Sequence, residues 1–206
     1  MNPLKSIFNV ISRTSLWVWF SRRILSHWTL RVMGYPDSAI SSYPTIARRL
    51  MQAEPLDVYT FCTCDRKTPV ALLIKAVTGG RFSHTGFIID HATIFDSRSD
   101  GVRYRNLFTL IAQADDFAII RYRFRDTECQ RIFQSRLVES IGKPYDFTQE
   151  LGGESLYCSE LVYTLLNGLV EENLEPRFIQ GQRGFSPTDV YNSGHVAFDH
   201  NPGGSK

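Results

Sequence analysis

Three side chains could together carry out acyl chemistry. Cys158 follows Gly152-Gly153-Glu154-Ser155-Leu156-Tyr157 and precedes Ser159-Glu160-Leu161-Val162, so a glycine loop leads directly into an amphipathic helix with a thiol in its first turn. A helix start presents about half a positive charge and several unpaired N–H groups to that sulfur. Thiolate is the reactive form of cysteine, and the same N–H groups can receive the oxyanion formed when a thiolate attacks a carbonyl. A buried structural cysteine early in a helix would look the same. His84 lies in Arg81-Phe82-Ser83-His84-Thr85-Gly86-Phe87-Ile88-Ile89 and shares a strand face with Gly86 and Ile88. It reads either as a satisfied, half-buried histidine or as a general base paired with a thiol, with Gly86 leaving room for substrate. Asp96 ends the next apolar stretch. Two antiparallel neighbours would bring it to His84, where a carboxylate on the far ring nitrogen fixes the tautomer and stabilises the cation. His91 is a rival for that orienting role, and turn opening is the plain alternative for Asp96.

The elements that must hold these residues can be read coarsely. Asp57–Phe61 alternates like a short strand, Val70–Val77 is a short helical run ended by Gly79-Gly80, and Phe82–Ile89 is rich in β-formers. Short strands at Thr93–Asp96 and Val102–Arg105 flank a turn, Ser97–Gly101, with an Asp-Gly hairpin signal. Phe117–Phe124 is the clearest strand. Asp126 can cap a helix running to Ile141, Leu156–Leu166 is a second helix, and Ser186-Pro187-Thr188-Asp189 can open a helical turn. Strands grouped with strands and helices with helices predict an α+β domain rather than a doubly wound sheet. Gly152-Gly153 lacks the lysine and spacing of a phosphate-binding loop.

The chain has 206 residues and a net charge of only +2, too balanced for a dedicated nucleic-acid binder. The balance hides an asymmetry. Lys5, Arg13, Arg22, Arg23, Arg31, Arg48 and Arg49 face one acid, Asp37, in residues 1–50, so the body is mildly acidic. Leu4, Ile7, Phe8 and Ile11, then Trp17, Phe20, Ile24 and Trp28, fall at helical spacing. This basic arm suits a membrane interface, or packs its Trp face on the main domain. Gly34-Tyr35-Pro36-Asp37 breaks it, and the stretch to about residue 50 reads as a linker or wrapping segment. The expected division is therefore an arm at 1–50 and a catalytic domain at 51–206. No apolar run approaches the roughly 20 residues of a membrane-spanning helix, and no secretory signal is convincing. The thiols read as reduced and the chain as cytoplasmic, membrane-associated if the arm binds lipid. Cys62, Cys64 and His84 lack a second ligand pair at zinc spacing, so no metal or other cofactor is expected.

The succession Ser-His-Thr-Gly-Phe-Ile, Phe-Asp-Ser, Gly-Lys-Pro-Tyr-Asp and Tyr-Cys-Ser-Glu-Leu-Val resembles the circularly permuted papain-like cysteine hydrolases, the YiiX-like branch of the NlpC superfamily. It covers about residues 55–192, with the histidine strand before the cysteine helix, and includes Ser186-Pro187-Thr188-Asp189. The resemblance implies an NlpC-type fold, an antiparallel sheet or small barrel packed on helices. It implies Cys158 as nucleophile, His84 as base, Asp96 at a position where this branch often has Glu, and Tyr145 lining the oxyanion site. Tyr145 reads equally as a core tyrosine at a loop, and Glu160 is explained by the helix dipole alone. The implied activity is an amidase or peptidase working through a thioester, on a peptide or on a lipid-linked or acylated amide or ester. Alternatives are a phospholipase or acyltransferase of the lecithin:retinol acyltransferase-like kind, and a silent binding module with a membrane-peripheral arm.

Overall fold

The computed structural model describes residues 37–200 apart from 66–67, 148–150, 153 and 180. The amphipathic arm expected over residues 4–28 lies outside them. The chain divides into two units, Met1–Thr45 and Ile46–Lys206. All strands and all candidate site residues belong to the second. The stretch read as a linker or wrapping segment is a helix, α1 (Asp37–Met51), with Arg48 and Arg49 in its last turn, where cations suit the helix dipole. Among the described residues no helix is long and apolar enough to cross a membrane.

The fold is α+β, built on a six-stranded antiparallel sheet in the order β4-β3-β2-β1-β5-β8. Its centre is β1 (Asp57–Cys64), between β2 (His84–Ile88) and β5 (Asp116–Arg123). Strands β3 (Thr93–Arg98) and β4 (Gly101–Asn106) continue outward by hairpins. β8 (His195–His200) closes the other edge against β5. Both faces of the central strands are covered, so β1 and β5 are buried along nearly their whole length. One face, with Val58, Cys62, Phe87, Phe95, Ala118, Ile120 and Tyr122, forms the main core against α4 (Thr127–Ser140), α5 (Cys158–Leu166) and α6 (Pro187–Ser193).

Helix α2 (Pro69–Thr78) links β1 to β2, and α3 (Leu107–Gln113) links β4 to β5. Composition suggests nothing for α3, but it is set by Asn106, whose side chain accepts the Thr109 N–H at 3.0 Å. Asp126 caps α4 in the same way through the Cys129 N–H. The segment read as a five-residue turn is tighter. β3 runs on to Arg98, which pairs with Gly101, leaving only Ser99-Asp100 at the bend. A short ribbon, β6 (Arg177–Ile179) and β7 (Gln182–Gly184), precedes α6.

Candidate active site

Cys158 is the first residue of α5, after Tyr157 at the N-cap. The loop before it is tied down. Buried Glu160 accepts the Gly152 N–H at 2.7 Å and the Tyr157 N–H at 3.4 Å, and Leu156 donates to the Pro144 carbonyl at 3.0 Å. Burial raises the Glu160 carboxyl against the pull of those N–H groups. Glu160 thus does more than complement a dipole, because it fastens the glycine loop to the helix it leads into.

His84 opens β2 and pairs with Thr63 of β1. The β2–β3 register pairs Phe87 with Phe95 and Ile88 with Ile94, and Asp96 Cβ lies beside the position of a Cβ on Gly86. His84, Gly86, Asp96 and Arg98 therefore share one sheet face. Asp96 reaches His84 along the diagonal, with Nε2 2.8 Å from Oδ2. Its carboxylate is fully buried and also accepts Arg98 Nε at 2.8 Å and Arg105 Nε at 2.7 Å. Burial alone would raise the Asp96 carboxyl, but His84 and Arg98 outweigh it and hold it well below the usual carboxylate range.

With Nε2 committed to Asp96, Nδ1 is the nitrogen left for Cys158, which lies near enough to act on the ring. Burial opposes the imidazolium, yet the bond to Asp96 and the proximity of Cys158 prevail and raise His84 from 6.5 to about 9. The Phe61 ring, 5.7 Å away centroid to centroid, packs on the imidazole.

Asp96, not His91, is thus the group on His84. His91 is an exposed residue of the β2–β3 loop, at the far end of β2. The role expected for Gly86 is also corrected. A Cβ there would fall 2.7 Å from Asp96 Cβ and from the Phe95 carbonyl, and 2.9 Å from Phe61 Cε1. The space is filled by the neighbouring strand, so Gly86 serves the approach of Asp96 to His84 rather than substrate.

The Ser186-Pro187-Thr188-Asp189 segment fastens the two halves. Ser186 and Asp189 cap α6 reciprocally. Thr188 Oγ1 accepts the Phe82 N–H at 3.2 Å, two residues before His84, and packs where a Cβ on Gly80 would stand. The Pro187 carbonyl accepts Cys62 Sγ at 3.3 Å, and the Phe185 carbonyl accepts the Ser159 hydroxyl. Cys62 is sealed in the core, and burial pushes its thiol up. All four cysteines are free. His84 pairs with Thr63, so it lies on the face away from Cys62 and Cys64. Among the described residues no three His, Cys, Asp or Glu side chains are grouped to hold a metal ion.

Two hollows meet here. One, about 230 Å³, is lined by Cys158, Tyr157, Ser159, Phe185 and Ser186. The other, about 730 Å³, is lined by His84, Ser83, Arg98 and the apolar side chains of α2. Tyr145, Ile74 and Val77 line both. Tyr145 lies in the segment after α4, near enough for the Cys158 charge to act on it. Burial first, and that charge second, push its phenol up, so it stays a hydrogen-bond donor. Helix α2 is apolar on its outward side, with Val70 66% and Leu73 64% exposed, and Phe147 beside it is 74% exposed.

Arg98 and Arg105 escape composition-based reading. Arg98 looks like a turn residue, and only an Asp-x-Arg alternation along one strand face would have placed it beside Asp96.

The family model described as permuted papain-like amidase enzyme, YaeF/YiiX, C92 family, matches residues 67–197. The crystal structure of metalloprotein yiiX from Escherichia coli O157:H7 is similar in fold, with a TM-score of 0.55 at 18% identity over 73% of this chain and 100% of that one. No curated protein matches the chain.

Proposed function

The chain belongs to the permuted papain-like amidase enzymes of the YaeF/YiiX type, the C92 family, and from that premise we propose that it cleaves amides through a thioester on Cys158. The observation that carries the reading is the relay Asp96–His84–Cys158. One ring nitrogen is held at 2.8 Å by a buried carboxylate and the other faces a thiol at a helix start. Cys158 passes its proton to His84 Nδ1 and attacks the carbonyl carbon. The oxyanion is received by the N–H groups of the α5 start, which have no intrahelical acceptor, and by the Tyr145 hydroxyl. The C–N bond then breaks as the Nδ1 proton moves to the leaving nitrogen. His84 next takes a proton from water, the hydroxide attacks the thioester, and the acid departs as Cys158 is restored. Asp96 stays ionised throughout and keeps the ring oriented.

The larger hollow opens beside His84, the group that serves the leaving atom. Its apolar wall from α2 therefore suits an apolar leaving portion, as in a lipid-linked or acylated amine. Such a substrate resides at a lipid surface, where the basic arm at 1–50 would hold the enzyme. Reversing Arg22 and Arg23 to Glu in the full chain should then reduce sedimentation with anionic vesicles.

The chemistry is tested by iodoacetamide labelling at pH 6, read residue by residue by mass spectrometry. Cys158 should label well ahead of Cys62, Cys64 and Cys129, and lose that lead in His84→Ala. Equal labelling of Cys158 in both proteins would remove the basis of the reading.

A further inference from the structure

Arg98 is only partly used by the relay. It engages Asp96 through Nε, and among the described residues its two terminal nitrogens meet no acceptor. Its side chain is 34% exposed and lines the larger hollow together with His84. It shares Asp96 Oδ2 with His84, so the guanidinium and the imidazole flank one carboxylate oxygen. The local charge is unbalanced as well. Asp96 and Asp100 face Arg98, Arg105 and Arg103, an excess of one positive charge before His84 is counted. The carboxylate of the lining, Asp65, follows β1, on the other side of β2 from Arg98.

We infer that Arg98 is a specificity residue that reads an anionic group on the leaving portion of the substrate. The inference rests on the proposal that His84 protonates the leaving nitrogen. An anion a few bonds from that nitrogen comes within reach of the free fork of Arg98, while the apolar body of the same portion lies along Val70, Leu73, Ile74 and Val77 of α2. The substrate class is an amide whose leaving amine is apolar and carries a carboxylate or phosphate close to the nitrogen. A guanidinium matches either anion with two parallel N–H bonds.

The test is equilibrium binding of decanoate, decyl phosphate and decanol to the full chain, which needs no turnover and so reports on Arg98 even if no amide is cleaved. Wild type should bind at least one of the two anions roughly tenfold or more tightly than decanol, and the tighter of them identifies the group. Arg98→Gln should bind all three alike, and Arg98→Lys should keep part of the preference. No preference in wild type, or full preference in Arg98→Gln, would overturn the inference. Should Arg98→Gln not fold, phenylglyoxal modification of wild type, mapped by peptide mass, gives the same answer. The preferred anion should shield Arg98 and decanol should not, and equal modification with and without that anion would refute it.

Discussion

Replacing Asp96 by Asn removes a charge while nearly conserving shape, and the structure fixes what should follow. His84 is raised from 6.5 to about 9, a preference for the charged ring of about 3 kcal/mol at about 1.4 kcal/mol per pH unit. That figure is net of burial, which acts the other way. In Asp96→Asn the burial remains, and Arg98 and Arg105 lose the carboxylate they share. Arg105 keeps Asp100, but Arg98 then stands beside the ring without its carboxylate, and only Cys158 still favours the charged form. His84 should therefore titrate well below about 9 in the variant. The assay is a pH titration of the histidine Cε1–H signals by NMR, with His84→Gln identifying the resonance. Stability supplies a second readout. Because the folded value is raised, the contribution of His84 is complete below pH 6.5 and is lost as pH rises through about 9. Wild type should lose up to about 3 kcal/mol over that interval, whereas the variant should lose clearly less. A folded Asp96→Asn protein whose His84 still titrates near 9 would refute the electrostatic reasoning.

Gly86→Ala should cost roughly 1–3 kcal/mol through crowding against Asp96, Phe95 and Phe61, seen as a lower thermal midpoint, and should also lower the His84 pKa by forcing Asp96 away. Thr188→Val keeps shape but strands the Phe82 N–H, at a cost of about 1–3 kcal/mol, measurable by urea denaturation. Glu160→Ala leaves the N–H groups of Gly152 and Tyr157 without their acceptor. It should reduce kcat more than it changes KM, with Glu160→Gln recovering a large part, once a cleaved amide is in hand.

Where side-chain chemistry declares itself locally, the sequence was readable. The Asp126 cap, the helix starting at Cys158 and the strand at Phe117 all follow from adjacent residues, and antiparallel pairing of two consecutive strands is enough to bring Asp96 to His84. The failures have physical causes. α1 carries Pro44 and a polar composition, so its pattern resembles a linker. α3 is seven residues long, too short for periodicity to register, and depends on one cap. β8 is formed by pairing with β5, a partner far away in sequence. Gly86 was read as empty space because a missing side chain says nothing about what fills the gap. The Arg98 contact needs only the alternation along β3, whereas the Arg105 contact depends on the register of the β3–β4 hairpin.

The fastening by residues 185–189 also bears on how the protein is made. Cys158 and His84 belong to different elements, and apart from the Ser97 hydroxyl, which donates to the Leu156 carbonyl, the bonds that draw their neighbourhoods together come from Thr188, Pro187 and Phe185. A ribosome synthesises these residues after His84 and Cys158, and the edge strand that completes the sheet later still. The nascent chain therefore carries its thiol and its imidazole for some time before they are held in working order.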